Sequence, residues 1–306
     1  MSNTKFNILC LDGGGSKGVY TLGVLKEIEK LVGTELHKHF HLIYGTSTGS
    51  IIASLLALGE TIAEIEKKYF ELIPKVMSAW GKGYKSKALA KLGNEIFKDL
   101  QFTDFKTDVG IVSMNYDYKR PLIFKSNLKQ AHGLKSSFEP GFGCSISDAI
   151  QASCAAYPIF RKKKLKTANQ GDQVAIDGGF IANNPTLFAV TDATKAFKIE
   201  MEDLRIISIG TGNYVEKSIS LQSQLLRKLM ITQLVERVLG ANTNTTEILT
   251  KLLYPELKIV RINETFSQPE YGTNMIEKNV KKLQLLNRLG RESFAKSEAE
   301  IIKLLA

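Results

Sequence analysis

The chain has 306 residues, 43% of them hydrophobic, and a formal net charge of +10 from 41 Lys+Arg against 31 Asp+Glu. This length predicts one large α/β domain more readily than two small ones, and the composition excludes a fibre, an internal repeat or a low-complexity chain. The basic balance suits a polyanion, either an anionic membrane surface or a nucleic acid, and equally a plain solvated surface; it does not choose among them.

The chain order begins with a short buried strand, Phe6–Leu11, broken by glycines, and a helix over Val19–Leu31 with Val24, Leu25, Ile28 and Leu31 on one face. A second strand, His41–Tyr44, leads into an uncharged helix, Ser47–Leu58. Two strand–turn–helix units in succession predict an α/β sheet protein. An amphipathic helix over Ile62–Ile73 is expected to stop at Pro74, and Val76–Lys87 reads as irregular. Strands follow at Lys106–Ser113 and Pro121–Lys125, then a small-residue helix at Ser147–Ala156, a basic run at Arg161–Lys166 and a strand at Gln173–Ile176 running into Asp177. Leu204–Gly210 is a strongly hydrophobic strand. Beyond it the chain reads as helical over Leu221–Leu239, Thr245–Leu253, Asn274–Leu289 and Ala295–Leu305, with a last strand at Leu257–Ile262. The expected division is a catalytic core over 1–212 and a mainly helical part over 213–306 packed on the same domain.

Cys10, Cys144 and Cys154 are odd in number and match no metal spacing, which predicts a reducing, cytoplasmic setting. The apolar run in MSNTKFNILCLDGGG is too short for a signal peptide, and no stretch approaches the roughly 18 apolar residues of a membrane-spanning helix. A lipid substrate would be reached from the water side.

Chemistry concentrates in three places. Gly45-Thr-Ser47-Thr-Gly49 lies between a strand and a helix, where G-x-S-x-G forms a nucleophile elbow; the bland alternative is a Gly/Ser turn capping a helix. Asp12-Gly-Gly-Gly-Ser-Lys-Gly18 lets successive backbone N–H groups converge, as a phosphate cradle or an oxyanion hole. It lacks the Walker A spacing, and a dinucleotide fingerprint would need an acidic ribose ligand at a second strand end, which Glu35 does not clearly supply. Asp177-Gly178-Gly179 sets an aspartate at a strand end, or is a simple D-G turn. The four histidines are His37, His39, His41 and His132, and none follows Asp177. A Ser–acid–His triad in α/β-hydrolase order is therefore missing, a metal site from the early histidines is disfavoured, and Asp177 is the best candidate for the base.

With these motifs the sequence resembles the patatin-like phospholipases: DGGGSKG at Asp12–Gly18, GTSTG at Gly45–Gly49 and DGG at Asp177–Gly179, in the same order. QASCAAYPIF at Gln151–Phe160 and Asn183-Asn184-Pro185 are similar too, so the likeness covers about the first 212 residues. The resemblance implies a three-layer α/β/α fold with a mainly parallel sheet. It implies a Ser–Asp dyad with Ser47 as nucleophile and Asp177 as general base. It also implies an oxyanion hole from Gly13, Gly14 and Gly15, and no metal or organic cofactor. Lys17 stands where the loop often has arginine, and Tyr157 separates Ala156 from Pro158 where many members run directly from alanine to proline. Some patatin-like proteins are effectors in bacterial antiphage systems, switched on by a cyclic nucleotide, which makes an activating nucleotide one partner to test.

The expected activity is thus phospholipase A-type hydrolysis of membrane phospholipids through an acyl-enzyme. The alternatives are a small-molecule carboxylesterase or thioesterase on the same dyad, and a nucleotide-binding regulatory module without hydrolysis. No nucleic-acid partner is expected. Peripheral contact with an anionic membrane is expected from Lys162, Lys163 and Lys164 in the basic run and from Trp80, which stands among lysines near Met77 and Tyr84. The alternative is a solvated charge run and a core-packed tryptophan.

Overall fold

A computed structural model describes residues 5–215 and 227–306. The start of the helix expected from Leu221 lies outside the described residues.

The core is an eight-stranded sheet. Its strands are β1 (Phe6–Leu11), β2 (Leu42–Thr46), β3 (Asp108–Asn115), β4 (Arg120–Lys125), β5 (Lys163–Thr167), β6 (Gly171–Asp177), β7 (Leu204–Ile209) and β9 (Ile259–Ile262). They run in the order β5-β6-β3-β2-β1-β7-β9, with β4 paired to β3 off this path. The pairs from β3 through β2, β1 and β7 to β9 are parallel, whereas β4 and β6 pair antiparallel with β3, and β5 antiparallel with β6. Strands β8 (Asn213–Tyr214) and β10 (Thr265–Phe266) form a separate small ladder.

The alternation in β1 shows how the layers arise. Leu9 and Leu11 face one apolar cluster and Ile8 and Cys10 the other, the period of two expected of a strand buried on both faces. The first cluster is covered by α1 (Gly18–Val32), α3 (Thr48–Ala57), α4 (Ile62–Ser78), α5 (Gly81–Phe97), α6 (Ile146–Ser153) and α10 (Val280–Leu305). The second is covered by α7 (Gly179–Ala182) and α8 (Thr186–Thr191), against which α9 (Arg227–Leu253) packs. A one-turn helix, α2 (Leu36–His39), precedes β2. This is the three-layer α/β/α fold.

Several elements differ from the sequence reading. Pro74 does not stop α4, which runs on to Ser78. Proline costs a helix about 3 kcal/mol, but Ile73 and Val76 are buried in the core, and two such side chains offset that at about 2 kcal/mol each. Val76–Lys87 is not irregular: it holds the end of α4 and the start of α5. The helical pattern was hidden by a lysine at a core position. Lys85 is buried and donates to the Met77 carbonyl at the end of α4. The basic run, for which the sequence predicts no element, contains the edge strand β5 at Lys163–Thr167, and edge lysines discourage strand-to-strand aggregation. The two C-terminal pairs of helix patterns are each one continuous helix, α9 and α10. The polar Asn242 and Thr243 that break the apolar period of α9 face the site and bond there. Gly290 lets α10 approach α1 closely: a Cβ there would lie 2.1 Å from the Tyr20 carbonyl oxygen.

Candidate active site

Three chain segments meet at one end of the central strands. Leu11 pairs with Gly45 and Thr46 with Val112, while Ser113 pairs with Asp177. The residues that follow β1 and β2, and the last residue of the antiparallel β6, therefore converge beyond the carboxyl ends of the parallel strands, where open α/β sheets bind ligands.

Ser47 occupies the sharp turn between β2 and α3, with φ 51° and ψ −121°. That left-handed conformation is strained for a side chain bearing Cβ, and it is held from several sides. The Ser47 amide donates to Ser153 Oγ at 2.8 Å, and Ser153 Oγ donates on to the Val112 carbonyl at 2.6 Å. Ser50 returns both its amide and its hydroxyl to the Ser47 carbonyl, at 2.9 and 2.6 Å. The elbow glycines permit the crossing, since a Cβ on Gly49 would sit 2.3 Å from the Leu11 carbonyl oxygen and one on Gly45 2.4 Å from that of Gly49.

Ser47 Oγ donates to Asp177 Oδ2 at 2.7 Å, and the Gly179 amide donates to Asp177 Oδ1 at 2.8 Å. The Asp177 backbone is fixed by α6: its amide donates to Ala155 O at 3.1 Å and that of Gly178 to Ser153 O at 3.3 Å. The serine is 7% exposed and the aspartate is buried. Burial pushes the Asp177 carboxyl up from its ordinary 3.8 to about 6, against the opposing pull of the Ser47 and Gly179 hydrogen bonds. The carboxylate is thus ionised at neutral pH yet a better proton acceptor than a solvated one.

The glycine loop lies beside this pair, and it corrects one expectation. The Gly13 amide donates to the Asn183 carbonyl at 3.1 Å, so in this conformation it is not available to an oxyanion. The amides of Gly14 and Gly15 have no hydrogen-bond partner among the described residues. Lys17 is half-buried, and its ammonium donates to the Gly212 carbonyl at 3.2 Å.

The loop is gripped by residues to which the sequence assigned no role. Arg261 of β9 forks onto Asp12, Nη1 to Oδ1 at 2.8 Å and Nη2 to Oδ2 at 2.6 Å. Asn183 Nδ2 reaches the Gly13 carbonyl at 3.2 Å and Thr243 Oγ1 at 2.8 Å, while Asn242 accepts the Asn183 amide at 2.7 Å. Tyr69 donates to the Gly15 carbonyl at 2.6 Å, and the Met275 carbonyl accepts the Ser16 amide at 2.9 Å. One signal was available for Arg261: a charged residue inside the apolar run Ile259–Ile262 needs a buried partner.

The cavity over Ser47 is lined by Ile73, Val76, Met77, Leu89, Phe160 and Met275 among others, and encloses about 30 Å³. Its wall is apolar, as an acyl chain requires. None of the four histidines lines it. His39 and His41 bond Asn7 at the start of β1, and His132 pairs with Asp192 at 2.5 Å. Among the described residues no group of three or more His, Cys, Asp or Glu could hold a metal ion.

The residues expected at a membrane divide. Trp80 is 83% exposed at the corner between α4 and α5, not packed in the core. Ser86 of α5 accepts the Arg161 amide at 2.8 Å, so that corner and the basic run are neighbours. Lys164 is exposed, Lys162 lies 3.3 Å over the Tyr116 ring, and Lys163 is engaged by Asp148 at 2.7 Å. No helix among the described residues is long and apolar enough to cross a membrane.

The patatin-like phospholipase family model matches residues 9–190. The chain is 47% identical over 299 residues to a cUMP-AMP-activated phospholipase of Escherichia coli, covering 97% of this chain and 93% of that protein. It is 30% identical to a cGAMP-activated phospholipase of Vibrio cholerae, over 68% of this chain and 64% of the relative. Among solved structures, VipD from Legionella pneumophila shares the fold with a TM-score of 0.50 at 12% identity, over 98% of this chain and 66% of that one. The chain therefore belongs to the patatin-like phospholipase family and is an acyl ester hydrolase acting on lipids.

Proposed function

We propose that the protein is a phospholipase A-type enzyme in which Ser47 is the nucleophile and Asp177 the general base. The observation that carries this is the 2.7 Å hydrogen bond from Ser47 Oγ to a buried carboxylate at the strained elbow. Asp177 takes the Ser47 proton as Oγ attacks the acyl carbonyl. The amides of Gly14 and Gly15 hold the oxyanion. Asp177 then returns the proton to the leaving alcohol, and a lysophospholipid departs. In the second half Asp177 takes a proton from water, the hydroxide equivalent attacks the acyl-Ser47 ester, and the fatty acid leaves as the proton returns to Ser47.

A lipid must be drawn from an interface. The exposed Trp80 at the start of α5, the helix that Arg161 touches at Ser86, with Lys162, Lys163 and Lys164 following Arg161, suits contact with an anionic surface near the cavity wall formed by Met77 and Phe160. The cavity of about 30 Å³ falls far below the roughly 300 Å³ at which ligand sites begin, so this conformation is closed to a phospholipid. A closed site and two relatives named for activation by cyclic dinucleotides together support an enzyme opened by such a signal.

The test is hydrolysis of phosphatidylglycerol vesicles with and without cUMP-AMP, products identified by mass spectrometry. Fatty acid and lysolipid should appear with the wild type plus nucleotide and vanish in Ser47→Ala. A Lys162/Lys163/Lys164→Gln triple variant should lose vesicle binding in a salt-dependent way. Release of headgroup instead of fatty acid would exclude the phospholipase A assignment.

A further inference from the structure

A second cavity lies at the outer edge of the sheet, between β9, α9 and α10, and encloses about 240 Å³. Its polar lining includes Asn184, Glu247, Thr250, Lys251, Arg261 and Glu300. Phospholipid hydrolysis at Ser47 makes no use of these residues, apart from the two guanidinium nitrogens that Arg261 lends to Asp12.

The chemistry of the lining restricts what fits. A simple anion meets Glu300 and Glu247, the latter already paired with Lys251 at 2.8 Å, and a simple cation meets Lys251 and Arg261. The complementary ligand presents N–H or O–H donors and negative charge together. A nucleotide does so: its base amino group and ribose hydroxyls donate, and its phosphate is an anion. Ile259 and Val260 add an apolar wall for a ring. The volume lies below the roughly 300 Å³ lower end of drug-sized sites, a space for one nucleoside unit rather than two.

Arg261 supplies an independent pointer. Its side chain is 91% buried, and its two terminal nitrogens are committed to Asp12 and Ser208. Its Nε makes no hydrogen bond among the described residues, and the Glu247 carboxylate oxygen Oε2 stands 3.7 Å away, too far to accept one. A buried guanidinium donor left open beside a polar cavity fits a site whose last partner arrives with a ligand.

The position of the cavity also matters. Arg261 joins it directly to Asp12, where the glycine loop begins. Helix α9, which supplies Glu247, Thr250 and Lys251, also carries Asn242 and Thr243, which hold Asn183 against that loop. The same helix carries Glu236, which accepts the Met275 amide at 2.5 Å, and Met275 lines the closed cavity over Ser47.

We propose that this cavity receives one nucleoside monophosphate unit of the activating cyclic dinucleotide, and that Arg261 and α9 transmit its occupancy to the glycine loop and Met275. The assignment rests on the nucleotide-activated reading above. It differs from a site at the glycine loop itself, where phosphate would compete with substrate.

The experiment is titration calorimetry of the full chain with cUMP-AMP, comparing the wild type, Glu300→Trp, Thr250→Phe and Ser47→Ala. Glu300 is exposed at the rim, so its replacement spares the core; Thr250→Phe fills the interior and is read with a circular dichroism check. Each pocket variant should bind at least about tenfold more weakly, and Ser47→Ala should bind as the wild type does. Vesicle hydrolysis by Glu300→Trp should need at least about tenfold more cUMP-AMP for half-maximal rate. Wild-type affinity in a folded Glu300→Trp and Thr250→Phe pair would overturn the assignment while leaving nucleotide activation standing. A wild type that binds no cUMP-AMP would overturn both, with hydrolysis by the dyad still to be judged from Ser47→Ala.

Discussion

The dyad and the glycine loop sit side by side but are stabilised in different ways. Ser47 and Asp177 are placed by the turns of β2 and β6 and by the small residues of α6, all close around them. The loop at Gly13–Gly15 is instead held by distant parts of the chain: Arg261 on Asp12, Asn183 on Gly13 with Thr243 behind it, Met275 on Ser16. The lesson is a division of labour. In the proposed mechanism proton transfer depends on two side chains fixed by their immediate neighbours, whereas the oxyanion donors depend on contacts from the C-terminal part of the chain.

The largest expected effect lies on the dyad side. Ser47→Ala and Asp177→Asn should each lower turnover of a p-nitrophenyl ester by at least about 10³-fold with the fold retained by circular dichroism. A folded Asp177→Asn enzyme near wild-type turnover would remove the general-base role. On the loop side, Arg261→Ala should destabilise the protein by about 3–5 kcal/mol in urea, because it leaves Asp12 buried and unpaired. Pairing it with Asp12→Asn should recover part of that loss; simple additivity would mean that the clamp does not couple the two regions. Gly14→Ala should cost about 10² in turnover, the scale of one oxyanion donor, since the new Cβ would fall 2.4 Å from Thr211 Oγ1. Unchanged turnover in a folded variant would move the oxyanion hole elsewhere.

Smaller effects separate chemistry from stability. The folded-state value of Asp177 is raised from 3.8 to about 6. Its contribution to stability is then fully present below pH 3.8 and lost as pH rises through about 6, so the ionised form costs stability at neutral pH. Asp177→Asn should therefore raise the neutral-pH stability by roughly 1–3 kcal/mol while abolishing turnover. Wild-type kcat/KM should follow the opposite sign, falling as pH drops through about 6, because the base must be ionised. A flat profile from pH 5 to 8 would contradict a dyad governed by this carboxyl. The smallest effect is expected from the histidines: glutamine at His37, His39, His41 or His132 should change kcat by less than about tenfold, the scale below general acid–base catalysis. A loss of several orders in one of them would bring back a histidine mechanism.

The sequence alone determined the elements that speak through local pattern. The apolar run of β1, the glycine-flanked Ser47 and the strand-end Asp177 are short-range signals, legible because a tight turn or a buried strand permits few residues. It misread places where a distant contact overrides the local rule: Pro74 inside α4, Lys85 in a core position of α5, and the polar centre of α9 as a break; the strand β5 within the basic run went unread. Only the tertiary structure decided that the Gly13 amide is spent on Asn183 and that Asp12 is clamped by a residue 249 positions away. The physical reason is the reach of each constraint. Backbone strain and periodicity act over a few residues and leave their mark in composition. A buried charge or a committed amide finds its partner wherever the fold brings one, and no spacing in the chain records that choice.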